Sequence, residues 1–319
     1  MAKKKPYRFF LYWAARFAAG LISLLPRTAA LSLARWAGKA AFKIAGRQRT
    51  RTLAHLTAVY GQEKSAAEIE ALGKKVFENS ALTAVEILQF PEFRRTGLEK
   101  IVETDEASRV YDQLLAEGRG LISITAHLGN WELLAGAIVR KGYKAIVLAR
   151  KIYYEPYNRW IVGLRRQLDV QTVYRDHASR EIFKKLADNE IVGLLPDQDV
   201  DSLKGVFVPF FGRPAYTMVA PVRLALSSGA PILPNFLVRD GKDRYRIILG
   251  KVIRPVIEIT REEAVLKYTE EWMRQFENVI RRYPEQWAWM HDRWKTRPEE
   301  KSEARISKFE INSKSGSAK

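Results

Sequence analysis

The sequence predicts an α/β fold with a mostly parallel central sheet, helices on both faces, and an N-terminal membrane-associated helical region. Two observations carry this. From Ile101 onward, short β-branched and apolar runs alternate with longer amphipathic stretches, the pattern of strands joined by covering helices. Before that the charge is one-sided: no Asp or Glu occurs before Glu63, while residues 1–52 hold twelve of the 54 Lys and Arg. Formal charge is +18 over 319 residues, so two thirds of the excess sits in the first sixth of the chain.

The first element is Phe9 to Leu25, a 17-residue apolar run broken only by Arg16 and preceded by Lys3, Lys4, Lys5 and Arg8. Its length is at the lower limit for crossing a hydrocarbon core of ~30 Å, so it reads as an uncleaved anchor that spans or lies in the membrane plane. Thr28 to Gly46 reads as a second helix. Arg35, Lys39, Lys43 and Arg47 recur every four residues, and Leu31, Leu33, Trp36, Ala37, Ala40, Phe42 and Ile44 surround them. A basic stripe beside apolar surface suits an anionic membrane. His55 lies in a helical stretch and reads as structural, and Ser65 to Phe90 supplies one or two amphipathic helices.

Strands are expected at Leu121–Ala126, Ala145–Ala149, Val170–Tyr174, Ile191–Leu195 and Ile232–Val238. Helices are expected between them at Trp131–Lys141, Tyr157–Leu168, Ala178–Asn189 and Met218–Ser228, with a long one at Glu262–Arg282. Asp240-Gly241-Lys242 reads as a hairpin turn joining Asn235–Arg239 to Tyr245–Leu249 as an antiparallel edge. The boundaries that follow are residues 1–50 for the anchor and basic helix, 51–298 for the α/β domain, and 299–319 for a disordered polar tail.

Chemistry concentrates between Gly120 and Gly136, where a strand runs into a helix through His127, Gly129, Asn130 and Glu132. On one continuous helix His127 and Glu132 would point about 140° apart. If His127 instead ends the strand, Gly129 permits a turn, Asn130 caps the helix, and Glu132 folds back towards the imidazole. Such a carboxylate would fix the tautomer and stabilise the imidazolium of a general base. On the residues alone two readings stay open, since a Glu in the first turn of a helix also answers the helix dipole.

T-A-H-L-G-N-W-E resembles the H-x4-D/E motif of the bacterial lauroyl/myristoyl acyltransferases of lipid A biosynthesis, within the wider lysophospholipid acyltransferase superfamily. Four further blocks carry the resemblance in order. They are Asn158-Arg159 through Leu164-Arg165-Arg166, Leu195-Pro196-Asp197-Gln198-Asp199, Val208 to Ala215, and Tyr283 to Lys295 with its three tryptophans. The resemblance implies a catalytic pair of His127 and Glu132. It implies an acyl carrier protein as donor, a lipid A precursor or related glycolipid as acceptor, and a catalytic domain on the cytoplasmic face of the bacterial inner membrane. Asn130, Arg165, Arg166, Asp197, Asp199 and Arg213 are the candidate substrate contacts. Arg165 with Arg166 would form a phosphate clamp or simply a solvated helix face, the two aspartates would order an arginine or the substrate sugar, and Arg213 would meet a second phosphate or only complete a Gly-Arg-Pro turn. Trp287, Trp289 and Trp294 would line an acyl groove, sit at the membrane interface, or pack.

No cofactor or metal is expected: the sequence has no cysteine, no Walker loop, no G-x-G-x-x-G, and no cluster with metal-ligand spacing. Acylation of a mannosylated phosphoinositide or a lysophospholipid is the alternative within the enzyme class. The rival outside it is a basic nucleic-acid-binding protein, which rests on net charge alone, and no nucleic-acid partner is expected. A catalytically silent membrane scaffold is a third.

Overall fold

A computed structural model describes residues 7–175, 179–241, 244–258 and 260–299. Lys3, Lys4 and Lys5 of the basic anchor, Ala178 at the start of an expected helix, Lys242 of the expected hairpin turn, and the polar tail after Glu299 lie outside the described residues.

The described residues form a seven-stranded sheet in the order β1-β9-β8-β2-β5-β3-β4, where β1 is Val102–Glu103, β2 Leu121–Ile124, β3 Ala145–Ala149, β4 Gln171–Tyr174, β5 Ile191–Leu194, β8 Ile232–Asp240 and β9 Arg244–Leu249. Every pairing is parallel except β8 with β9. Side chains alternate between two cores, as the strand period requires. Ile122, Ile124, Val192 and Leu194 join one cluster with α9 (Ser179–Ala187), α10 (Ala220–Ser228) and α11 (Arg261–Arg282). Leu121, Ile191, Leu233 and Leu237 join the other with α6 (Asp105–Leu115), α7 (Trp131–Arg140) and α8 (Glu155–Gln167). Helix α11 opens on a capping box of Thr260 and Glu263 and buries Tyr268, Trp272, Phe276 and Ile280. Truncating the fully buried Trp272 to Ala would cost about 3–5 kcal/mol.

One expectation changes, and two strand features are added to those expected. The hairpin has the anticipated register, Asn235 opposite Leu249 and Arg239 opposite Tyr245, but β9 is not an edge because β1 pairs with it. The two-residue β1 was too short to read. The block Val208 to Ala215 forms the tip of a separate hairpin, β6 (Gly205–Phe210) with β7 (Arg213–Met218). Its two central residues, Phe211 and Gly212, both take positive φ, the tight turn that matches strand twist. Phe211 tolerates this because Glu277 accepts its amide at 2.6 Å and the ring is buried beside Trp289.

The amino-terminal elements are α1 (Tyr7–Leu24), α2 (Arg27–Ile44), α3 (Gly46–Tyr60), α4 (Ala66–Leu88) and α5 (Phe90–Thr96). Helix α2 packs tightly on α4, where a Cβ at Gly38 would approach the Glu78 backbone to 2.6 Å. It ends at Ile44, so Arg47 belongs to α3 and the basic stripe is broken at Ala45. Helix α1 buries only Ala19. Its Tyr12 ring lies against Tyr154, Tyr157 and Trp160 of the α8 region, and Arg16 sits over Trp160. Among the described residues no helix is long and apolar enough to cross a membrane.

Candidate active site

The site forms at the carboxyl edge of the parallel strands, where open α/β sheets place their ligands. Strands β2 and β5 are neighbours in register, Ile124 opposite Leu194. Three residues beyond each lie His127 and Asp197, so the sheet itself delivers the two side chains to one level.

They meet closely. The His127 ring is 2.7 Å from Asp197 Oδ1 through Nδ1, and its backbone N–H donates to Asp197 Oδ2 at 2.8 Å. The Trp287 indole donates to the same Oδ2 at 3.0 Å. Burial alone would push the Asp197 carboxyl up. The adjacent imidazole and these three hydrogen bonds outweigh it and hold the group at about 2. Burial likewise opposes charging of His127, but the Asp197 anion, with a smaller contribution from Glu132, raises the imidazole above its ordinary value. A carboxylate accepting at Nδ1 leaves the Nε2 lone pair directed elsewhere, and there the Gln198 amide stands at 3.2 Å.

The loop carrying His127 is fixed from both sides. Gly129 has φ +62°, and a Cβ there would approach the Leu237 carbonyl oxygen to 1.9 Å. The Gly129 N–H donates to the Gln286 carbonyl, and the Asn130 N–H to that of Leu237. The Ala288 N–H donates to the His127 carbonyl, so the Trp-rich carboxy-terminal segment straps the loop in place. Asn130 caps α7 as anticipated, accepting from the Leu133 N–H at 3.0 Å. Its amide donates to Glu86, which is fully buried and also meets Arg27, Arg239 and the Tyr245 hydroxyl.

Several sequence expectations are corrected by this geometry. Glu132 does not fold back onto His127. Arg165 takes both of its oxygens in a bidentate pair at 2.6 and 2.7 Å, because the first turn of α7 faces α8 rather than the strand end. Asp197 occupies the place assigned to Glu132. Asn130 is fully buried with both ends of its amide engaged, so it is a cap rather than a substrate contact. Arg166 is exposed and off the cavity, since consecutive helix residues diverge by about 100°, and no Arg165–Arg166 clamp forms. Asp199 is buried against Thr296, accepting from its N–H at 2.8 Å and its hydroxyl at 2.7 Å. Arg213 lies over the Trp294 ring, away from the cavity. None of Trp287, Trp289 and Trp294 lines the cavity: Trp287 serves Asp197, Trp289 donates to the Pro284 carbonyl, and Trp294 stacks on Phe210. His55 contacts the Trp289 carbonyl, as a structural residue should.

His127, Glu132 and Arg165 open together onto a cavity of about 890 Å³, within the usual range for a small-molecule site. Trp131, edge-on to the imidazole at 5.0 Å, and Gln198 also line it. Neither has a role among the sequence expectations. For Gln198 the signal was present, one position beyond Asp197 at a strand end. The cavity continues between Ile152, Ile161 and Val162 on one side and Ile182, Phe183 and Leu224 on the other.

The profile of a family described as bacterial lipid A biosynthesis acyltransferase matches residues 2–296. A phosphatidylinositol mannoside acyltransferase of Mycobacterium tuberculosis (strain CDC 1551 / Oshkosh) is 25% identical over 187 residues, 57% of each chain. A lipid A biosynthesis lauroyltransferase of Escherichia coli (strain K12) is 36% identical over 123 residues, 37% of this chain and 38% of that one. A lipid A biosynthesis acyltransferase 2 of Shigella flexneri is 24% identical over 305 residues, 92% of this chain and 93% of that one. The match to the mycobacterial and Escherichia coli proteins thus spans little more than half of their length, or less.

Proposed function

The chain belongs to the bacterial lipid A biosynthesis acyltransferase family, and on that premise we propose that it moves a long-chain acyl group from an acyl carrier protein thioester to a hydroxyl of a lipid A precursor. One observation carries the mechanism: Asp197 holds His127 through Nδ1, so Nε2 presents a lone pair to the cavity. The acceptor hydroxyl takes the place of the Gln198 amide at Nε2 and gives up its proton there as its oxygen bonds to the thioester carbonyl carbon. Asp197 stabilises the imidazolium. The C–S bond then breaks, and the thiolate leaves with the proton from Nε2. No acyl-enzyme is needed, and the chain contains no cysteine.

The oxyanion of the tetrahedral intermediate needs a donor. The Gly129 and Asn130 N–H groups are engaged by carbonyls, which removes them from that role. Gln198 and the Arg165 guanidinium, both on the cavity, are the donors assigned here. Purified H127A, incubated with acyl carrier protein thioesters and lipid acceptors and read by mass spectrometry, should lose transfer by about 10²–10⁴-fold while keeping its fold. Near-normal turnover would reject the assignment. The likeness to a mycobacterial phosphatidylinositol mannoside acyltransferase favours a mannosylated phosphoinositide as the second acceptor to test in the same assay.

The reading places the enzyme on the bacterial inner membrane, with its catalytic domain on the cytoplasmic face. Support comes from α1 and α2, whose Phe10, Phe17, Leu24 and Trp36 are each about two-thirds exposed or more. Exposed apolar side chains on helices that also carry Arg and Lys suit a membrane surface. Charge substitutions at Phe10 and Phe17 should release the protein from anionic vesicles; retention would refute attachment by this surface.

A further inference from the structure

The cavity has two unlike ends. One is bounded by Ile152 and the α8 segment that α1 packs on, where Arg8 lies over the exposed Tyr153 ring. On the reading above that end faces lipid. The other runs between α9 and α10. Helix α10 gives it Ala220, Arg223, Leu224 and Ser227, positions i, i+3, i+4 and i+7 of one face. Helix α9 answers with Ser179, Ile182 and Phe183, again one face. Over about 10 Å, the rise from Ala220 to Ser227, the walls are mixed: Ala220, Leu224, Ile182 and Phe183 are apolar, while Ser179, Arg223 and Ser227 are polar.

Towards its outer limit the walls carry two guanidinium groups. Arg261, at the start of α11, donates to Ser227 Oγ at 2.6 Å and lines the cavity, as does the exposed Arg223 one turn back. Among the described residues no carboxylate meets either guanidinium. A hydrocarbon tail gains nothing from ending on two cations. An amphiphilic arm ending in an anion does, and guanidinium groups suit phosphate. A water-borne donor must also enter away from the end that faces lipid.

We propose that the α9–α10 arm receives the phosphopantetheine arm of the thioester donor, with Arg223 and Arg261 on its phosphate. This rests on the thioester-transfer reading. The sulfur end lies at His127, the amide-bearing arm runs along the α10 face, and the phosphate reaches the solvent rim. The acyl chain and the acceptor lipid are left the opposite end. The same phosphopantetheine group occurs in a carrier protein and in coenzyme A, so the rim recognises a chemistry that both sources share.

The test compares one acyl group on three donors: carrier protein, coenzyme A and N-acetylcysteamine, which lacks the phosphate. In the R223E/R261E double variant, KM should rise about tenfold or more for the two phosphate-bearing donors, with kcat within about twofold. The N-acetylcysteamine thioester should be unaffected. An equal rise for all three donors, no rise for any, or a rise confined to the carrier protein would overturn the assignment, the last pointing to a protein surface contact. Should charge reversal unfold the chain, R223Q/R261Q and competition in the wild-type protein decide: phosphopantetheine should inhibit better than pantetheine, and equal inhibition refutes the rim. Wild-type failure to turn over any thioester would remove the transfer reading together with this inference, whereas turnover with unchanged KM removes the inference alone.

Discussion

Replacing Asp197 by Asn tests the pairing on which the chemistry depends. The carboxylate accepts three hydrogen bonds, from His127 Nδ1, the His127 N–H and the Trp287 indole. An amide of the same shape cannot accept all three. If its NH2 faces Nδ1, the imidazole must carry its proton on Nε2 and ceases to be a base. If its NH2 faces the other way, it opposes two N–H donors in a buried place. Either outcome should reduce kcat/KM by about 10²–10⁴-fold. The pH dependence separates this from general damage. In the wild-type protein the Asp197 anion raises His127, so activity falls as pH drops through a point above the ordinary imidazole value. Without the anion, the acid limb of the residual rate should move to lower pH. Stability gives a second window. Asp197 sits at about 2 rather than 3.8, so its ion pair contributes above pH 3.8 and is lost as pH falls towards 2. His127, being raised, contributes fully below 6.5 and loses its share as pH rises through its folded value. These are one interaction seen from two sides, on the order of 2 kcal/mol. The wild type should therefore exceed D197N in chemical-denaturation stability most between about pH 4 and 6.5. A D197N enzyme with near-normal kcat/KM and an unmoved acid limb would refute the pairing.

Glu132→Gln leaves the His127–Asp197 pair intact but gives Arg165 one neutral acceptor in place of a bidentate carboxylate, so kcat should fall by about tenfold to a hundredfold, less than in D197N, as read in steady-state assays of both variants. Equal losses would restore Glu132 as the imidazole's partner in solution. Glu86→Ala leaves Arg27 and Arg239 facing a buried void and removes the acceptor of the Asn130 amide; denaturant unfolding should show a loss of about 3–5 kcal/mol.

Much of the scaffold was legible because its signals are local. The apolar run Ala145–Ala149 is a strand with the bounds expected from sequence, and Asn130 caps the helix it precedes. The hairpin register across β8 and β9 follows from one turn. What local signals cannot carry is the order of strands. From sequence Asp197 goes to an arginine or a sugar rather than to His127, because nothing in the sequence says that β5 lies beside β2. The β6–β7 hairpin was hidden for a similar reason, since Phe211 at positive φ is held by Glu277 from a helix some sixty residues away.

That difference also explains why a helix-borne Glu132 looked like the imidazole's partner. Five residues separate it from His127 in the chain, whereas seventy separate His127 from Asp197, and sequence reasoning favours the near neighbour. Parallel pairing reverses the preference. Once Ile124 stands opposite Leu194, each further step beyond the strand ends adds the same rise to both chains, and the third residue of each arrives at the same height. Adjacent strands lie about 4.8 Å apart, a gap that an imidazole and a short carboxylate close between them. The longer Glu132 side chain, turned towards α8 by the first turn of its helix, reaches an arginine instead. A Glu at position 197 would overfill that gap, so D197E should recover less activity than its retained charge suggests. Recovery to the wild-type rate would mean that the register does not set the spacing.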